Sequence, residues 1–156
     1  MKRLMIVALL FLTVLFSAYT SFGEDSSPGQ EAGEEIRDEE VMAAKEVLEA
    51  NLQYSEAEDM EQYLQTIASH GREATRVEMN QFFQDYTVSH ELTAFEVVER
   101  HDDEIVVKTS QMIKDQNQEG DKRYRSHKAK MMHVLKREDN QWKIFESNVM
   151  DVQFIE

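Results

Sequence analysis

The clearest pattern along the chain begins at Glu34. From there Val41, Ala44, Leu48 and Leu52 recur at steps of three and four with polar residues between them, which predicts an amphipathic helix running to about Tyr54. Asp38, Glu39 and Glu40 lie toward its start, where the positive end of the helix dipole favours acids. Ser55-Glu56-Ala57-Glu58 has the Ser-x-x-Glu spacing in which hydroxyl and carboxylate each cap a free backbone N–H. It predicts a second helix with Met60, Tyr63, Leu64 and Ile67 on one face, stopping at Gly71. A third run sets Met79, Phe82, Phe83 and Tyr86 at i, i+3, i+4 and i+7, an aromatic stripe that should face inward.

After Ser89 the period changes. β-Branched and aromatic residues dominate Leu92–Arg100, Glu104–Lys114, Arg123–Arg137 and Gln141–Phe154, which predicts four strands. The intervening His101-Asp102-Asp103, Asp115–Asp121 with Gly120, and Asp139-Asn140 are turn formers, so the strands should form an antiparallel meander. Helices first and strands second make an α+β protein with helices laid across one face of the sheet.

The last hairpin allows a register to be written. A two-residue turn at Asp139-Asn140 pairs Arg137 with Trp142, and stepping outward sets Leu135 against Ile144, His133 against Glu146, Met131 against Asn148 and Ala129 against Met150 on one side. The other side then carries Val134 with Phe145, Met132 with Ser147, Lys130 with Val149 and Lys128 with Asp151. Both sides hold large apolar groups while the helices can cover only one. The second side is therefore expected to be a homodimer interface.

Composition narrows the function classes. At 156 residues the chain suits one domain behind an N-terminal extension. The absence of cysteine excludes disulfides, thiolate metal sites, a cysteine nucleophile and a lipid-attachment cysteine. With 17 Lys and Arg against 31 Asp and Glu the net charge is −14, which argues against nucleic acid as a partner. Met1-Lys2-Arg3, the apolar run from Leu4 to Ala18 and the small residues around Ser21 and Gly23 have the three parts of a secretory signal. Cleavage after Gly23 gives a mature start at Glu24 and a net charge of −16, and an uncleaved anchor is the alternative. The domain is expected to be secreted or periplasmic, with no membrane contact once the signal is removed. Residues 24–35, rich in Glu, Ser and Gly, read as an acidic linker, leaving 36–156 as the domain.

Three helices and a meander closing on Met131-Met-His-Val-Leu-Lys-Arg-Glu-Asp-Asn-Gln-Trp-Lys-Ile-Phe-Glu-Ser147 resemble the nuclear transport factor 2-like, or SnoaL-like, superfamily. Glu49-Ala-Asn-Leu-Gln-Tyr54, the run Met60–Ile67 and His70 are similar to the opening of such domains, and the likeness spans Ile36 to Ile155. It implies a cone: a curved four-stranded antiparallel sheet wrapped round three N-terminal helices, with a pocket between them and dimerisation through the convex sheet face. The superfamily includes isomerases, dehydratases, hydrolases, cyclases and non-enzymatic binding modules. The isomerases' set of a proton-moving carboxylate with a tyrosine and a protonated aspartic acid has no residue-by-residue match here.

The strongest constellation is His133 opposite Glu146 with Asn148 one step along, in which a neighbouring carboxylate could tune an imidazole for proton transfer. Tyr54, Tyr63 and Tyr86 could bring hydroxyls to the same pocket, or simply pack with their hydroxyls at its rim. Lys122, Arg123, Arg125, Lys128, Lys130, Lys136 and Arg137 form an acid-free basic run that could hold an anion or pair across strands with Glu96, Asp115, Glu146 or Asp151. His70, His90, His101, His127 and His133 are scattered without metal-ligand spacing, and no serine-hydrolase elbow, phosphate loop or cofactor motif is present. The sequence thus points to a non-enzymatic binding or interaction domain for a small apolar or weakly polar ligand. A small lyase or isomerase built on His133 and Glu146, or an assembly module without a pocket, are the alternatives.

Overall fold

The computed structural model describes residues 32–116 and 124–155, with side chains from Glu39 onward. The expected signal and its cleavage site, Gly120, Lys122 and Arg123 lie outside the described residues. Three helices, α1 (Ala32–Glu56), α2 (Met60–Gln65) and α3 (Arg72–Asp85), precede four strands, β1 (Val88–Arg100), β2 (Glu104–Asp115), β3 (His127–Glu138) and β4 (Gln141–Phe154). The strands form one antiparallel sheet in the order β1-β2-β3-β4, curved round the helices, so the expected α+β cone is the observed architecture. No helix among the described residues is long and apolar enough to cross a membrane.

α1 presents Ala44 and Leu48 to Ile105 and Val107 of β2, Leu135 of β3, and Trp142 and Ile144 of β4, which together form the main apolar cluster. A second cluster of Val88, Ile113, Ala129 and Met131 lies toward the other end of the strands, with Phe82, Tyr86 and Tyr124 packed against it. Alternation accounts for both: every second residue of β2 from Ile105 to Ile113 is buried, and β3 follows the same period from His127 to Leu135.

The helix boundaries differ from the sequence expectation where capping decides them. α1 runs on to Glu56, so Ser55 sits in its last turn, buried and bonded to His90, and does not cap α2. Glu58 takes a left-handed backbone (φ 55°), and Asp59 becomes the N-cap, its carboxylate accepting from Gln62 N at 3.1 Å. α2 ends at Gln65 rather than Gly71, because Ile67 leaves the helix to bridge Ile144 in parallel, with Ile144 N donating to Thr66 O at 2.8 Å and Ala68 N to Ile144 O at 2.9 Å. A 3₁₀ turn, Ser69–Gly71, then leads into α3. α3 lies on the surface with no fully buried residue, and its aromatic stripe splits: Phe82 and Tyr86 turn to the sheet while Phe83 meets Tyr63 edge-on at 6.2 Å.

The β3–β4 hairpin carries the most consequential departure. Asp139 and Asn140 hold φ of 52° and 60°, a two-residue turn with both central residues left-handed, and Arg137 pairs with Trp142 and Leu135 with Ile144 as the sequence predicts. Beyond Ile144 the register slips, because Phe145 is an extra residue without a partner and Glu146 pairs with Val134. A second extra residue, Met150, follows, and Thr93 and Val98 interrupt β1 in the same way. Such bulges bend a strand and increase its twist, which a sheet curving round helices requires. The expected pairs beyond Ile144 are therefore replaced: Met131 faces Val149, Ala129 faces Val152, Met132 faces Asn148, Lys130 faces Asp151 and Lys128 faces Gln153.

Candidate functional site in the polar layer of the cone

Between the two apolar clusters the inner face of the sheet carries a polar layer of Thr109 and Gln111 from β2, His133 from β3 and Ser147 from β4. Placing His133 there follows from the alternation of β3, which turns Met131, His133 and Leu135 to the same side. The bulge at Phe145 brings Ser147 opposite it. His133 Nδ1 lies 2.7 Å from Ser147 Oγ, and His133 Nε2 lies 3.0 Å from Thr109 Oγ1 and 3.5 Å from Gln111 Nε2. Gln111 Nε2 also donates to Thr109 Oγ1 at 3.3 Å. Because the Gln111 amide presents N–H toward Nε2, the consistent assignment is a neutral ring with Nδ1–H donating to Ser147 and Nε2 accepting from Thr109.

His133 is only 4% exposed, and burial pushes its pKa down to about 4. No carboxylate among the described residues reverses that shift. Glu146 pairs with Val134 on the outer face, where it accepts from Asn148 Nδ2 at 2.7 Å. The expected His133–Glu146 pair, and with it the pocket membership of Glu146 and Asn148, is thus undone by one inserted residue. A base with a pKa near 4 has little proton affinity at neutral pH, so the ring as placed is better suited to holding hydrogen bonds than to moving protons.

The tyrosines do not converge on this ring. Tyr86 packs against the second apolar cluster, its ring 5.5 Å from Phe82 and 5.0 Å from Tyr124. Tyr63 belongs to the helix layer, where burial raises its pKa and a hydrogen bond with Asn51 opposes the rise. Tyr54 lies half-buried near the end of α1. Among the described residues no hydrogen bond or ring contact joins any of the three to His133.

Sequence reasoning passed over Thr109, Gln111 and Ser147. The signal was present for the first two, since β2 alternates Ile105, Val107, Thr109, Gln111 and Ile113, and two polar residues in an otherwise apolar inward row mark a polar layer. It also passed over His90, whose Nε2 is 3.1 Å from Ser55 Oγ while its buried Nδ1 lacks a partner among the described residues. Burial brings His90 down to about 4, opposed by Glu56 and reinforced by His127. Of the basic run, Lys130 meets Asp151 at 4.0 Å, Lys136 meets Glu104 at 3.0 Å, and Arg137 pairs with Glu40 and Asp103 beneath Trp142. Cross-strand pairing therefore accounts for Lys130 and Lys136, while Arg137 ties β3 to α1 and the β1–β2 turn and Arg125 lies over the Phe154 ring at 4.2 Å. Among the described residues no group of three or more His, Asp or Glu side chains is arranged to hold a metal ion.

Comparison with known proteins identifies the class. The fold is that of the nuclear transport factor 2-like superfamily. Solved structures similar to it include a protein of unknown function from Mycobacterium tuberculosis (TM-score 0.68, 14% identity, covering 78% of this chain and 77% of that one). A scytalone dehydratase-like protein from Novosphingobium aromaticivorans (TM-score 0.65, 11% identity, 79% and 92%) and a nuclear transport factor 2-like protein from Shewanella oneidensis (0.56, 10%, 72% and 99%) are similar too. Residues 46–155 match the family model of the C-terminal domain of anti-sigma-I factor RsgI9, and the chain belongs to that family. No curated protein matches it.

Proposed function

We propose that the chain is an exported, non-enzymatic binding or interaction domain, dimeric through the outer face of its sheet, that accommodates a small apolar or weakly polar molecule between helices and sheet. The observation that carries this reading is the state of His133. Both ring nitrogens are engaged by neutral groups, and its expected carboxylate partner is on the opposite face. Kinship to a domain of an anti-sigma-I factor, by its name a regulator, supports interaction over catalysis. The mutually packed rings of Phe82, Tyr86 and Tyr124 beside the second apolar cluster offer an apolar surface for such a molecule. For the dimer, Val106 and Val134 stand opposite each other, half-buried on the outer face with Met132 next along β3, an apolar patch flanked by Lys108 and Lys130. The alternative lyase or isomerase would need a carboxylate beside His133.

Native mass spectrometry of the purified, exported protein tests the reading. The expected result is a two-subunit species of chains beginning at Glu24, reduced to one subunit by Val134→Arg with the Trp142 emission unchanged. A single-subunit wild type would overturn the dimer, chains retaining residues 1–23 would overturn cleavage, and an activity lost specifically in His133→Gln would overturn the non-enzymatic reading.

A further inference from the structure

The sheet has two edges, and they are treated differently. β1 packs along α1 and carries Glu91, Glu96 and Glu99. Among the described residues the outer backbone edge of β4 is bonded only at Ile144, where Thr66–Ala68 runs beside it in parallel and takes up both of that residue's outward backbone groups. Next to it the His70 ring lies on Phe145 at 4.3 Å. Beyond this point no backbone hydrogen bond links Phe145–Phe154 to anything but β3 among the described residues. Ile155 N donates to Ser126 O at 2.9 Å, toward the β3 side, so by alternation the N–H groups of Phe154 and Val152 face outward.

Free edges are usually guarded by charge, proline or brevity. Bulges at Phe145 and Met150 shorten this one, but the stretch Met150–Ile155 has no proline, no base and a single acid, Asp151. It exposes Val152 (38%) and Phe154 (56%) on one face, the latter beneath Arg125 at 4.2 Å, with Met150 (52%) at the bulge and Ile155 (37%) at the end. An unguarded edge with an apolar fringe is the geometry that recruits an added strand.

We propose that this half of β4 docks a short extended strand of another protein, apolar at alternate positions and basic between them. Charge selects that occupant. Phe145–Ile155 carries Glu146 and Asp151 and no base, and the whole chain has a net charge of −14. A second copy of this edge would bring no base to meet Glu146 or Asp151, whereas lysines on an incoming strand would face them favourably, Asp151 being held on its other side by Lys130 at 4.0 Å. The site is on the edge of the sheet and the dimer reading concerns its outer face, so the two stand or fall separately.

The test uses the purified exported protein and a dye-labelled seven-residue peptide alternating Lys and Val, read by fluorescence anisotropy at about 150 mM salt, where the Debye length is about 8 Å and long-range attraction is screened. The expected result is saturable binding with slowed hydrogen exchange at the Val152 and Phe154 amides. Binding should weaken at least tenfold with a Glu/Val peptide and with Val152→Pro, which removes an outward N–H while leaving the ladder to β3 intact. Phe154→Glu serves the same purpose should the proline variant fail to fold, and Val134→Arg should leave peptide binding unchanged. No saturable binding, equal binding by Val152→Pro or Phe154→Glu in folded form, or a wild-type dimer dissolved by either variant would overturn the proposal, the last in favour of a second copy as occupant.

Discussion

Acid should weaken this fold through His133, and the size of the effect follows from its surroundings. In the unfolded chain the imidazole titrates near pH 6.5, whereas in the folded chain burial without a compensating charge brings it to about 4. The unfolded state therefore binds the proton more tightly. Stability contributed by the neutral ring is fully present above pH 6.5 and is lost as the pH falls from 6.5 through 4. Linkage gives a loss of about 2 kcal/mol between pH 7.5 and pH 5, approaching about 3 kcal/mol below pH 4, at 1.36 kcal/mol per pKa unit. Urea unfolding followed by the single tryptophan, Trp142, which is buried in the main cluster, reads this directly. In His133→Gln the titration disappears, so the gap in unfolding free energy between wild type and variant should narrow by about 2 kcal/mol between pH 7.5 and pH 5. A gap that stays constant over this range would refute the reasoning, since it would mean that the ring reaches solvent or a carboxylate in the folded state.

Other consequences are more local. Leu135→Ala removes a fully buried side chain from the main cluster and should cost 2–5 kcal/mol, measured by the same urea unfolding. Asp59→Ala deletes the α2 cap and should cost about 1 kcal/mol, restored by Asp59→Ser. Asn140→Val forces a β-branched side chain into the left-handed position of the β3–β4 turn. It should lower stability by about 1–2 kcal/mol in thermal melts, with Asn140→Gly close to wild type.

The order of elements, the limits of β2 and β4 and the turn at Asp139-Asn140 were legible because they depend on local periodicity and turn chemistry, whereas β1 starts at Val88 rather than Leu92 and β3 at His127 rather than Arg123. The inward row of β2 and β3 was legible for the same reason. Helix ends were less so, since the Ser55–Glu58 spacing fits a capping box equally well whether α1 stops before it or runs through it. What ended α1 was the left-handed turn at Glu58, and what ended α2 was the tertiary bridge from Ile67 to Ile144. The site suffered most from the bulge at Phe145. Glu146, Ser147 and Asn148 are all plausible strand residues, and nothing in their pattern marks an insertion. Yet one extra residue exchanges the two faces of a strand, sending Glu146 and Asn148 outward and bringing Ser147 to the imidazole.

The polar layer is built on His133 facing Ser147, and two-dimensional NMR of the labelled protein can see that pairing. Leu135 and Ile144 form a non-hydrogen-bonded pair, since the backbone groups of Ile144 bond outward. His133 lies two residues along β3 from Leu135 while Ser147 lies three along β4 from Ile144, the bulge at Phe145 supplying the extra one. His133 and Ser147 are thus again a non-hydrogen-bonded pair with closely spaced Cα atoms. A strong cross-peak between the Hα protons of His133 and Ser147, with a neutral ring protonated at Nδ1 at pH 7, is the predicted result. A cross-peak from His133 Hα to Glu146 Hα, or an imidazolium that persists at neutral pH, would contradict it and reinstate the acid/base pair.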